Sequence, residues 1–139
     1  MITSIQKVAV VGAGYMGGGI AQSLALSGAT VKLCDVSPAA THAAWQRLLQ
    51  ESEAWERQGL FPAGATVILQ TALVPVDSIA EAVADADFIE EAVPEIPAVK
   101  REVFRQIGEA ARPDAIIGTN TSTLPVHTLA DAVVGPERF

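Results

Sequence analysis

Apolar positions in this chain recur with two periods that alternate along its length. Short blocks rich in β-branched residues, at Lys7 to Val11 and Thr30 to Cys34, read as strands. The same reading gives strands at Thr66 to Thr71, Asp87 to Val93 and Ala115 to Gly118. Between them lie helical stretches. One runs from about Met16 to Ser27 and is closed by Gly28. A second opens at Ser37-Pro38, an N-cap followed by proline in the first turn, and runs to about Gln58 before Gly59. Trp45, Leu48, Ser52 and Trp55 share one of its faces, a stripe that reads as a packing face. Asp77 to Val83 predicts a short helix, and Pro97 opens another with Val99, Val103, Ile107 and Ala110 at helical spacing, ended by Arg112-Pro113. A last helical piece covers about Val126 to Val133. Alternating β and α elements of these lengths predict an α/β fold with a doubly wound, mostly parallel sheet. Ligands on such sheets bind outside the carboxyl ends of the strands.

The segment Val11-Gly-Ala-Gly-Tyr-Met-Gly17 sharpens this picture. It follows the first strand, enters the first helix, and is succeeded by a second strand ending in Asp35. Strand, glycine turn, helix, strand and terminal acid in that order form a dinucleotide-binding unit of Rossmann type. Gly12 allows the sharp turn off the strand, Gly14 leaves room for a diphosphate beside the backbone, and Gly17 lets the helix approach the sheet. Ala13, Tyr15 and Met16 complete the loop. The free N–H groups and the dipole of the helix start suit an anion. Asp35 can accept hydrogen bonds from both adenosine ribose hydroxyls and would repel a 2′-phosphate. Neither Val36 nor Ser37 supplies the arginine that would reverse this, so NAD is favoured over NADP.

Bulk properties narrow the field. The 139 residues suit one domain, and 50% of them are hydrophobic. Mean hydropathy is +0.33, yet no apolar run approaches the roughly 20 residues of a membrane span. A net charge of −7 argues against nucleic acid and anionic lipid as partners. Cys34 is the sole cysteine, which excludes an intramolecular disulfide and a cysteine metal cluster, and it reads as a buried inert thiol. Met1 to Ser4 leave no room for a targeting segment before the first strand, so a cytoplasmic location is expected.

Three blocks carry a family resemblance. Gly12-Ala-Gly-Tyr-Met-Gly-Gly-Gly-Ile-Ala-Gln22, then Phe88-Ile-Glu-Glu-Ala-Val-Pro-Glu95 with Lys100 and Phe104, then Gly118-Thr-Asn-Thr-Ser-Thr-Leu-Pro125 resemble the L-3-hydroxyacyl-CoA dehydrogenases. The resemblance spans residues 1–139, which would be that family's N-terminal NAD-binding domain without its C-terminal helical domain. It implies oxidation of the 3-hydroxyl of an acyl-CoA, of short chain such as 3-hydroxybutyryl-CoA, with hydride passing to NAD. By motif position it implies that Gly12, Gly14, Gly17 and Asp35 hold the diphosphate and ribose. Glu95 and Lys100 would contact the cofactor near its nicotinamide end, and Ser122 would meet both cofactor and substrate oxygen. The general base, a histidine, would lie beyond Phe139; neither His42 nor His127 occupies its motif. The helical domain would also supply the homodimer interface. Arg47, Ser52 and Arg57 have no motif that fixes a role in holding CoA, and Glu90 and Glu91 receive no catalytic role. The long Trp-bearing helix and Gln58-Gly-Leu-Phe-Pro62 are also similar to relatives acting on small hydroxy acids such as gulonate or carnitine. Two alternatives stay open: a hydroxyisobutyrate-type dehydrogenase, and a non-catalytic NAD-binding module.

Overall fold

The computed structural model describes residues 4–139. The elements are β1 (Lys7–Val11), α1 (Tyr15–Leu26), β2 (Thr30–Cys34), α2 (Pro38–Arg57), α3 (Ala65–Ala72), β3 (Leu73–Pro75), α4 (Ile79–Val83), β4 (Phe88–Glu91), α5 (Pro97–Ala110), β5 (Ile116–Thr119) and α6 (His127–Ala130). A 3₁₀ turn at Pro136–Arg138 follows. Five strands form one sheet in the order β3-β2-β1-β4-β5, and every pairing is parallel. The chain builds outward from β1 in one direction and then in the other, so β1 and β4 flank the point where the winding reverses.

Both faces of the sheet are covered, which explains strands that read as continuous apolar runs. Along β1, Val8 and Val10 pack with Ala21, Ala25 and Leu48 beneath α1 and α2. Ala9 and Val11 face the other way, against Val103, Phe104 and Ile107 of α5 and Leu129 of α6. Leu33, Leu48, Leu69 and Leu73 are fully enclosed, and each contributes ~2–3 kcal/mol of burial relative to exposure. The Trp stripe is a packing face: Trp45 Nε1 donates to the Leu73 carbonyl at 2.8 Å, and Trp55 meets Phe61 edge-on. Among the described residues no helix is long and apolar enough to cross a membrane.

One expected strand is a helix. Thr66 to Thr71 lies within α3, and the strand comes just after it as Leu73–Pro75. The Glu56 carboxylate accepts the N–H groups of Gly64 and Thr66, capping the start of α3. Ala65, Thr66 and Leu69 then bury one helical face while Val67 and Ile68 stay exposed. Tertiary burial here overrides the β preference of Thr-Val-Ile.

Candidate functional site

The carboxyl ends of β1, β2, β4 and β5 open onto one cleft of about 460 Å³. It is lined by Gly12, Ala13, Gly14, Tyr15 and Met16 from the glycine loop and by Asp35 and Val36 from the tip of β2. Its other wall carries Ala92, Val93, Pro94, Glu95 and Lys100 after β4, and Asn120 and Ser122 after β5. The loop is held from several sides. Gly12 sits at φ +103°, and a Cβ on it would lie 2.5 Å from the Ala92 carbonyl oxygen, so only glycine lets β1 and β4 tips approach here. A Cβ on Gly17 would overlap the Gly12 carbonyl oxygen. Asp35 Oδ2 accepts the Ala13 N–H at 3.0 Å, while Oδ1 accepts the Val36 N–H at 2.7 Å. Arg47 of α2 donates to the Ala13 carbonyl at 2.9 Å and pairs with Glu51. Both peptide groups of Ala13 are therefore tied down, one by β2 and one by α2.

At the opposite wall, two glutamates knit three segments together. Glu95 Oε2 accepts the Ser122 N–H at 2.9 Å and meets the Ser122 hydroxyl at 3.3 Å, and Glu95 Oε1 accepts the Thr121 hydroxyl at 2.6 Å. These bonds, the Ser122 backbone N–H foremost and then the Thr121 hydroxyl, with help from the Lys100 charge, hold the Glu95 carboxyl down at about 2. Glu91 and Lys100 lie beneath, each almost wholly enclosed, with Nζ 2.7 Å from Glu91 Oε1 and 3.7 Å from Glu95 Oε1. Burial, then the charge of Glu91, pushes the neighbouring Glu90 carboxyl up. Burial above all, then the charge of Asp35, pushes the Cys34 thiol up to about 11, in keeping with an inert core thiol.

The sequence-predicted residues Gly12, Ala13, Gly14, Tyr15, Met16, Asp35, Glu95, Lys100 and Ser122 all line this single cleft. Gly17 stands just behind it and is buried. Lys100 and Glu95 are not a solvated surface pair, because Lys100 is only 1% exposed. His42 and His127 are exposed and line no part of the cleft. Of the residues left without a role, Ser52 is enclosed with its hydroxyl 2.9 Å from that of Thr66.

The cleft fits a dinucleotide on physical grounds. Gly14 caps α1 with no side-chain hydrogen bond, and no acidic residue stands in the first turn, so the helix start faces the cleft open to an anion. A Cβ on Gly14 would meet no protein atom within 4 Å, which leaves a cradle beside those N–H groups. The model of the 3-hydroxyacyl-CoA dehydrogenase NAD-binding domain matches residues 7–139. The chain belongs to this family. Its cofactor is NAD.

Relatives agree on the family and differ in substrate. The chain is 40% identical over 138 residues, 99% of its length, to L-carnitine dehydrogenase of Pseudomonas putida, covering 41% of that protein. It is 34% identical over 138 residues to 3-hydroxyadipyl-CoA dehydrogenase of Escherichia coli, again over 99% of this chain but 29% of the relative. The crystal structure of 3-hydroxybutyryl-CoA dehydrogenase from E. coli superposes with a TM-score of 0.88 at 33% identity, over 97% of this chain and 28% of that one. The chain thus spans less than half the length of these relatives. The roles of two residues that shape the cleft escaped the reading of the sequence. Arg47 reads only as a candidate for CoA, with no motif to fix its register, and Glu91 lies in a strand pattern that gives it no catalytic role. The pair of Glu91 and Lys100 joins the end of β4 to the first turn of α5 across a loop, so no local periodicity points to it.

Proposed function

We propose that this chain is the cofactor-binding part of an NAD-dependent dehydrogenase that oxidises the 3-hydroxyl of an L-3-hydroxyacyl-CoA to a ketone. The supporting observation is the shared cleft: an open helix start, the Asp35 carboxylate and the Ser122 turn stand on one rim, spaced along the carboxyl ends of four strands. In this reading the first N–H groups of α1 hold the diphosphate, and Gly12, Ala13, Gly14, Tyr15, Met16 and Gly17 give it room. Asp35 binds the adenosine ribose, and Glu95 and Lys100 hold the nicotinamide end. When bound, NAD supplies the hydride acceptor. The Ser122 backbone N–H is anchored on Glu95, whereas its hydroxyl makes only a long 3.3 Å contact. The hydroxyl can therefore swing to donate to the substrate oxygen and follow the charge as alcohol becomes carbonyl. A histidine outside residues 1–139 serves as general base, and a C-terminal helical domain closes the acyl site and forms a homodimer. The chain alone then binds NAD(H) with little turnover, since a positioned base contributes roughly 10²–10⁴-fold.

A second reading has specific support. The 40% identity to an L-carnitine dehydrogenase favours a small 3-hydroxy acid as substrate, with the same hydride chemistry at the same carbon. Two measurements test these readings. Calorimetric titration should show NADH binding to the chain, weakened by Asp35→Ala roughly ten- to a hundredfold, the loss of charged hydrogen bonds; unchanged affinity would contradict the site. Comparing kcat/KM for 3-hydroxybutyryl-CoA and L-carnitine, with the domain joined to its own helical domain rather than a borrowed one, separates the substrates.

A further inference from the structure

We propose that Glu91 is a positioning residue for the cofactor: it fixes the Lys100 ammonium so that one N–H bond is left to face the cleft. The proposal rests on the reading of the cleft as the NAD site. An ammonium has three donors. Glu91 Oε1 takes one at 2.7 Å and the Val93 carbonyl takes a second at 3.1 Å. Glu95 Oε1, at 3.7 Å, lies beyond hydrogen-bond reach on the cleft side, so the third donor is available to a ligand between them. Lys100 lines the cleft although its side chain is only 1% exposed, so it can present little more than that one bond.

Glu91 itself cannot touch a ligand, being fully enclosed. Its oxygens are spent on the frame: Oε1 also accepts the Val93 N–H at 2.8 Å, and Oε2 accepts the Thr119 hydroxyl. The carboxylate thus joins the end of β4, the start of α5 and the end of β5, the three pieces that carry Glu95, Lys100 and Ser122. A buried ion pair of this kind is poor value as a source of stability, because well-packed apolar residues often serve as well or better. Its position directly under the cleft gives it a different use, which is to hold a charge in place.

Removing the counter-charge exposes this role. In Glu91→Gln the enclosed ammonium keeps its carbonyl partner but loses its carboxylate, and burial then favours the neutral amine. Glu95 in the following loop is the other carboxylate near Lys100, and Glu90 on β4 feels its charge, while the Thr119 hydroxyl of β5 bonds to Glu91 itself. Neither glutamate reaches Nζ within hydrogen-bond distance, so neither replaces Glu91.

The test is a double-mutant cycle with NADH as probe, read by titration from mildly acidic to mildly alkaline pH on the wild-type chain, Glu91→Gln, Lys100→Met and the double variant. Glu91→Gln should weaken NADH binding about tenfold at neutral pH, the scale of one charged hydrogen bond, and recover affinity as pH falls. The double variant should bind no worse than Lys100→Met, and it should melt higher, because the single lysine variant strands a buried carboxylate. Wild-type affinity in Glu91→Gln, a flat pH profile, or a double variant severalfold weaker than Lys100→Met would each overturn the proposal. Should Glu91→Gln fail to fold, the comparison of Lys100→Met with the double variant still decides the matter. A wild-type chain that does not bind NADH refutes the underlying cofactor reading, and so is told apart from a failure of Glu91 alone.

Discussion

Replacing Gly14 by alanine should separate folding from binding more cleanly than any other change in the cleft. Gly14 caps α1 at φ −71°, ψ −164°, a conformation open to any residue, and an added methyl would meet no protein atom within 4 Å. Two small effects oppose each other in the fold. Alanine is a poorer N-cap than glycine by several tenths of a kcal/mol, while the stiffer unfolded chain returns about 0.4–1 kcal/mol. The net effect on stability should lie within about 0.5 kcal/mol, a shift of only a few degrees in Tm. Binding should behave differently. The methyl stands where an anion would meet the first N–H groups of α1, and losing two hydrogen bonds to a charged group costs about 3 kcal/mol or more, over a hundredfold in Kd. Thermal melting and NADH calorimetry on the same preparation check both halves. Gly17→Ala is the contrast: its methyl overlaps the Gly12 carbonyl oxygen and presses on Ala92, so that variant should fail to fold stably. The reasoning is refuted if Gly14→Ala lowers Tm by much more than about 4 °C, near 1 kcal/mol, or leaves NADH affinity untouched.

Two further outcomes follow from the electrostatics of the fold. Glu95 is held down to about 2 from an ordinary 4.5, so what its bonds to Thr121 and Ser122 contribute is fully present above 4.5 and is lost only as pH falls towards 2; its carboxyl carbon resonance should titrate near the lower value, and a midpoint near 4.5 would show that the turn is not tied as described. Cys34, pushed up to about 11 chiefly by burial, should resist an aromatic disulfide reagent at neutral pH until denaturant is added, whereas prompt labelling of the folded chain would contradict its enclosure.

Most of the architecture could be read from residue order, and the reason is visible in β1. A strand covered on both faces has no polar positions to blur it, and Val8 to Val11 are all buried. The helix from Pro38 was equally legible, because the Ser37 hydroxyl does accept the Ala40 N–H at its start. The failure at Thr66 to Thr71 has a tertiary cause. A carboxylate ten residues earlier, on α2, caps α3, and no local pattern announces that partner. The true strand is short and ends in Pro75, which made it hard to see at all. Within the cleft, residues defined by a motif, such as Gly12 and Asp35, fell where the motif put them. Arg47 and Glu91 did not announce themselves, since what they do depends on a backbone carbonyl and an ammonium brought near only by folding.

The bond from Asp35 to the Ala13 N–H bears on attempts to retool this domain for the phosphorylated coenzyme. In the proposed reading of Asp35, the obvious swap, a small neutral residue at position 35 with a cation introduced beside it, would remove the repulsion of a 2′-phosphate and untie the glycine loop in one stroke. Asparagine keeps an oxygen at the same reach and so would spare the brace, whereas serine, one bond shorter, would not. Libraries that randomise position 35 freely will therefore confound altered preference with a slackened turn.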